Sequence, residues 1–259
     1  MPEQTITSTE ILEEPTLEAR RIAAAAGDDD TIVRLLGGVA IHLHAPTVPD
    51  GLRRDFEDLD YVVPGRGGPQ AARLLAKLGY EPNERFNAMN GRRRMVFYDH
   101  AHHRHVDLFV GEFRMCHQID LERRLLVDSP TIPLADLLLT KLQVVDVNPK
   151  DLGDIALLLL GHEISDHDDE AVNAGHVAEV LGADWGLWRT ATGTLDELGR
   201  RLEAMALPAE ERTAIAARAC ALRERIDEHP KSFRWRSRAK VGERKRWYEQ
   251  PEEIGHAEH

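Results

Sequence analysis

Apolar residues fall into two regimes along the chain, and the change between them near residue 130 predicts a change of fold class. In the first regime they form short runs or alternations broken by glycine and proline. Thr31, Val33 and Leu35 alternate into Gly37-Gly38, after which residues 39–44 start a helix. Residues 58–63 make a second strand closed by Pro64 and the loop Gly65-Arg66-Gly67-Gly68. Pro69 then suits the first turn of a helix over 70–78, with Gly79 as its stop. Residues 95–98 and 103–110 predict two strands joined by a hairpin across 99–102. An alanine-rich helix over 18–26, stopped by Gly27, precedes them, and residues 1–15 read as a frayed polar segment. The order so far is αβαβαββ.

Beyond Pro133 the helical period takes over. It predicts helices over 134–145, 149–160 with Asn148 as N-cap, 169–181, 195–205 and 208–228. The chain therefore reads as α/β of the α+β kind. An N-terminal segment covers 1–27, a mixed-sheet core 28–130, and a helical region with a basic tail 131–259.

Composition narrows the class. With 259 residues, 42% hydrophobic and 30% charged, the chain can bury a core and is not disordered throughout. No apolar run approaches the ~18 residues of a membrane span, and residues 1–9 lack the cationic-then-apolar order of a signal peptide. Cys116 and Cys220 are too few and too far apart for a disulfide framework or a zinc site. The expectation is a cytoplasmic protein with no membrane partner.

A net charge of −12 argues against coating nucleic acid with the whole surface. The charge is uneven, however. Between Lys231 and Arg246 eight basic residues face one acid, Glu243, interleaved with Phe233 and Trp235, and Trp247 follows. Basic and aromatic residues side by side suit phosphates and unpaired bases, so 231–247 is a candidate RNA surface. The competing reading is a C-terminal helix docked on an acidic body.

The chemistry concentrates in acids on strands. Asp58 and Asp60 share one strand face, and mutual repulsion there makes a divalent cation, Mg2+ for oxygen ligands, the natural partner. The alternative is a solvated acidic turn made of Asp55, Glu57, Asp58 and Asp60. Asp107 supplies a third carboxylate inside the apolar strand 105–110, where it would be costly unpaired. Two acids on one strand and a third on another is what two-metal phosphoryl or nucleotidyl transfer uses.

Together with Gly37-Gly38, this pattern resembles the nucleotidyltransferase fold of polymerase-β-like enzymes. Within that superfamily it is most similar to the AbiEii toxins of type IV toxin–antitoxin systems. Arg54 through Asp60 resembles their R-x-[ST]-x-D-[LI]-D strand, and the segments around Lys141 and Lys150-Asp151-Leu152-Gly153-Asp154 resemble their lysine helix and K-D-x-x-D motif. The likeness covers about residues 31–160. It implies a nucleotidyltransferase-like mixed-sheet core, Asp58 and Asp60 as metal ligands, and Asp107 assisting them or acting as base. It further implies that Gly37, Gly38, Arg54 and Lys141 hold the nucleotide, that Asp154 is an essential downstream acid, and that NTP and an antitoxin are partners. The chain departs from the pattern at Gly38, where serine is commonest, and at Phe56, where a small hydroxyl residue is usual. Helix geometry alone would make Lys141 a snorkelling lysine and Lys150/Asp154 a surface pair.

Two function classes follow. The first is Mg2+-dependent transfer of a nucleoside monophosphate to RNA, protein or a small molecule, as in antibiotic-modifying adenylyltransferases. The second is a catalytically weak binding or regulatory module. Other motifs carry less: His100, His102, His103 and His105 read as a solvated hairpin tip, with a transition-metal site the alternative, and His162 and His167 as surface. Gly65-Arg66-Gly67-Gly68 lacks the third glycine of a dinucleotide fingerprint, since position 70 is Gln70.

Overall fold

The computed structural model describes residues 10–250. The first nine residues of the expected frayed segment lie outside the described residues. Helix α1 (Pro15–Asp28) is capped by the Glu14 carboxylate and runs through Gly27, which therefore does not stop it. Strand β1 (Arg34–Leu36) feeds helix α2 (Gly37–His44), and strand β2 (Asp58–Val63) has the bounds its alternation predicts. There follow α3 (Gly68–Lys77), a two-residue strand β3 (Glu81–Pro82), α4 (Glu84–Asn90), β4 (Arg94–Asp99) and β5 (Arg104–Val110). Strands β6 (Glu112–Arg114) and β7 (Gln118–Asp120) form a separate hairpin.

The mixed sheet has the order β1-β2-β5-β4-β3. Its only parallel pair within that order is β2 with β5; β1, β4 and β3 pair antiparallel. Leu59, Tyr61 and Val63 turn to one face, where the Tyr61 hydroxyl donates to the Ala19 carbonyl of α1. The opposite face carries Asp58 and Asp60 and looks toward the helical half.

That half begins with α5 (Leu134–Leu142), in which Lys141 alone is not fully buried. Helix α6 (Pro149–Gly161) is capped by Asn148, whose side chain accepts from the Asp151 amide. A short parallel pair, β8 (Ile164–Ser165) with β9 (Val172–Asn173), intervenes before α7 (Ala174–Ala183), so the expected helix over 169–181 starts later. Helix α8 (Trp185–Leu202) begins ten residues before the predicted 195, and α9 (Ala209–Glu228) follows. Helix α10 (Phe233–Ala239) follows in the basic tail. One apolar cluster joins Ala19 of α1 to Ile226 of α9, so the change of class near residue 130 is not a break in the core. Residues 130–132 even bridge to Leu35 of β1 at the sheet edge. Among the described residues no helix is long and apolar enough to cross a membrane.

Candidate active site

Strand register brings the three aspartates together. In the parallel pair Asp60 stands opposite Asp107 and Asp58 opposite His105, so alternation sends all four side chains to one face. They line one cavity of ≈350 Å3, shared with Gly37, Arg94 and Lys141. Burial, then the carboxylates of Asp58 and Asp107, push the Asp60 carboxyl well above the usual range.

The double glycine is explained by what stands beside it. Gly37 has φ +75°, and a Cβ there would meet Asp60 Oδ2 at 2.1 Å. At Gly38 a Cβ would meet Arg54 Nη2 at 1.8 Å. The guanidinium occupies the space that a serine at 38 would need, which accounts for one of the two departures from the resembled pattern.

The second departure has the same origin. The Arg54 guanidinium lies 4.4 Å over the Phe56 ring, and His42 meets that ring edge-on at 4.8 Å. Arg54 also donates to Asp154 through Nε at 3.2 Å and Nη2 at 2.8 Å. Asp154 in turn lies 2.9 Å from the Lys141 ammonium, which donates to Asp151 at 3.0 Å. Burial opposes charge on both members of the Lys141–Asp154 pair, yet the pairing outweighs it. Lys141 is held above its ordinary value by Asp154 and Asp151, and Asp154 below its own by Lys141 and Arg54. Lys141 faces the aspartate cavity, whereas Asp154, 1% exposed, sits behind it and lines a neighbouring cavity with Arg54. The downstream acid is placed to position two cations rather than to touch a ligand beside Asp60.

Asp107 is not a free carboxylate. Arg94 Nε donates to its Oδ1 at 2.8 Å, and His105 Nε2 lies 3.5 Å from Oδ2. Burial pushes Asp107 up, but His105 and Arg94 outweigh it and hold the carboxyl below its ordinary range; His105 is raised, first by its contact with Asp107. Sequence reasoning did not single out Arg94. Only the strand register reveals it: Val96 opposes Asp107, so Arg94, two residues along the same face, is its diagonal neighbour.

Among the described residues no three Asp, Glu, His or Cys side chains are grouped as ligands of one ion. Magnesium, however, is commonly held by one or two carboxylates with substrate phosphates and water completing its shell. Asp58 and Asp60, oxygen donors crowded on one face with Asp60 disfavoured as an anion, fit that role; Asp107 can join only by sharing or releasing Arg94.

The histidine tip divides. His103 lies in the turn before β5 with φ +51°, His102 Nδ1 is 2.8 Å from Asp99, and His100 is 3.3 Å from Glu81, so the four do not converge. His162, expected at the surface, is buried with Nδ1 3.2 Å from the Glu170 carbonyl.

In the tail two tryptophans dock while most of the cations stay exposed. Trp235 meets Trp188 edge-on at 5.1 Å, and Trp247 meets Trp185 at 6.0 Å and donates to the Thr190 hydroxyl at 3.1 Å. Both rings are docked on α8, as the competing reading expects. Phe233 stays 80% exposed, and Arg234, Arg236, Lys240, Lys245 and Arg246 remain at the surface.

No protein-family model matches the chain, and no curated protein matches it.

Proposed function

We propose that the chain is a Mg2+-dependent nucleotidyltransferase. The observation that carries this reading is the single cavity in which Asp58, Asp60 and Asp107 face Gly37 and Lys141. Such a site suits a triphosphate: Lys141 offers a fixed positive charge, the Gly37-Gly38 turn opens the N-terminus of α2, and Asp58 and Asp60 would hold the cation. When bound, Mg2+ supplies charge neutralisation for the triphosphate and the departing pyrophosphate. The acceptor oxygen attacks the α-phosphorus, the bond to pyrophosphate breaks, and the acceptor proton passes to Asp107 or to water. Arg54 and Lys141, stiffened by Asp154 and Asp151, enter the reaction already oriented, which lowers the entropy cost of holding the phosphates.

One observation favours the second reading, a nucleotide-binding module with weak or no turnover: Arg94 and His105 occupy both oxygens of Asp107. An RNA acceptor is supported by the exposed cations of the tail, which suit phosphates, and by the half-buried rings of Trp235 and Trp247, which line a cavity with Arg234, Arg238 and Arg246.

The test is incubation with each α-labelled NTP, Mg2+ and either total RNA or a small-molecule extract. Label in a macromolecular or low-mass product supports transfer and identifies the acceptor class. Nucleotide binding without transfer to any acceptor supports the module.

A further inference from the structure

We infer that a second cavity, between the start of α6 and the end of α8, receives the nucleoside part of the NTP; this rests on the nucleotidyltransferase reading. The cavity measures ≈460 Å3 and is floored by Leu52, Val147, Leu152 and Met205. Its size and apolar floor with a few polar groups suit a base and sugar. Arg54 and Lys150 line it and also line a smaller cavity of ≈190 Å3 that contains Gly38, Asp58, Asp60 and Lys141. The two spaces therefore meet at two cations. Arg54 is fixed by Asp154, while Lys150 is exposed on the first turn of α6 and its ammonium makes no ion pair among the described residues. A ligand with an apolar ring at one end and a polyanion at the other fits this sequence of surfaces, its phosphates crossing Arg54 and Lys150 toward Asp58 and Asp60.

The other openings fit less well. The aspartate cavity extends past Asp107 to Phe109 and Phe113, but those rings pack on each other at 4.8 Å and the Arg94 guanidinium lies over Phe109 at 5.3 Å. The large cavity at the basic tail shares with the aspartate cavity only Cys116, and no cation bridges the two. Asp107, the residue proposed to take the acceptor proton, lies on that side, which leaves it to the acceptor.

The test measures equilibrium binding, with Mg2+, of inorganic tripolyphosphate and of each of the four NTPs to the wild-type chain, Met205→Trp and Ala204→Trp. Ala204 is exposed at the cavity rim, so its variant keeps the fold if the Met205 variant does not. Tripolyphosphate should bind all three proteins alike, while the fills weaken NTP binding by more than ~10-fold, the scale of a pocket that rejects one excess group. Unchanged NTP affinity in a folded fill variant, with tripolyphosphate still bound, overturns the nucleoside site and leaves the phosphate site standing. Absence of binding by tripolyphosphate and every NTP to the wild type overturns the nucleotidyltransferase reading itself.

Discussion

Gly37 and Asp60 are in such close approach that a methyl group on the glycine would fall 2.1 Å from the carboxylate Oδ2. The strand-to-helix turn and the acid facing the cavity are thus one fitted unit, and β1 pairs antiparallel with β2 to set their spacing, with Leu36 opposite Asp60. Gly37→Ala is expected to cost about 1–3 kcal/mol for the left-handed backbone alone, with the clash on Asp60 added to it. A double-mutant cycle with Asp60→Gly separates the two contributions, because removing the carboxylate relieves the clash and leaves the backbone strain. Additive Tm changes would mean that the two residues are not fitted to each other.

Asp60 also predicts a pH dependence. Its carboxyl titrates higher in the folded chain than its ordinary 3.8, so the folded state keeps a proton that the unfolded state has released. The stability it contributes is complete below pH 3.8 and declines as pH rises from there through the raised folded value. In chelator, Asp60→Asn should be more stable than wild type at neutral pH, and the advantage should shrink as the pH falls toward 3.8. Melting curves of both proteins across that range check it; a constant offset at every pH would exclude burial and repulsion at Asp60 as its cause.

On the proposed function, Arg94 and Mg2+ would compete for the Asp107 carboxylate. Removing one partner of a buried ion pair leaves the other charge stranded at a cost of about 3–5 kcal/mol. Arg94→Met should therefore lower Tm in chelator, and added Mg2+ or Mn2+ should restore more stability to this variant than to wild type. Mn2+ binding followed by electron paramagnetic resonance should be tighter in the variant. Weaker Mn2+ binding would show that Arg94 supports the acidic site rather than blocking Asp107.

Much of this arrangement was legible in the sequence. Strand β2 has the predicted bounds because its flanks are sharp, and Asn148 and Pro69 mark helix starts through local chemistry that no tertiary contact overrides. Helix α4 was missed because none of its residues is buried, so it has no apolar stripe to betray it. The first half of α8 was missed because Gly186, Thr190, Thr192 and Gly193 are poor helix formers whose helicity comes from packing. The individual acids could be placed by alternation, but their partners could not. Arg94, Phe56 and Asp151 gain their meaning only from strand register and from the way α5 and α6 meet the sheet.

Asp154 is the hinge of that meeting, pairing with Lys141 and Arg54 while nearly inaccessible to water. Asp154→Ala should destabilise the chain by about 3–5 kcal/mol, since Arg54 loses its acid and Lys141 is left with Asp151 alone. Adding Arg54→Met removes the stranded charge, so the double variant should be more stable than Asp154→Ala alone. If the double variant is instead the less stable by the full sum, Arg54 is not paired energetically with Asp154.

The basic tail separates two roles that a truncation would confound. Deleting everything after Glu228 would strip Trp235 and Trp247 from α8 along with the charges, so a loss of RNA binding could reflect either. Substituting charges and rings separately resolves this. Changing Arg234, Arg236, Lys240, Lys245 and Arg246 together to Gln removes surface cations whose ring neighbours stay docked, and should leave Tm within a degree or two while weakening RNA binding. For single-stranded RNA each lost phosphate contact should flatten the slope of log affinity against log salt by about 0.7. Trp235→Ala should do the opposite, lowering Tm by removing a large ring from its seat against Trp188 while leaving the salt slope nearly unchanged. A chain whose RNA affinity ignores both salt and the five-fold Gln substitution would confine the tail to its docking role, and would send the search for the acceptor to small molecules and proteins.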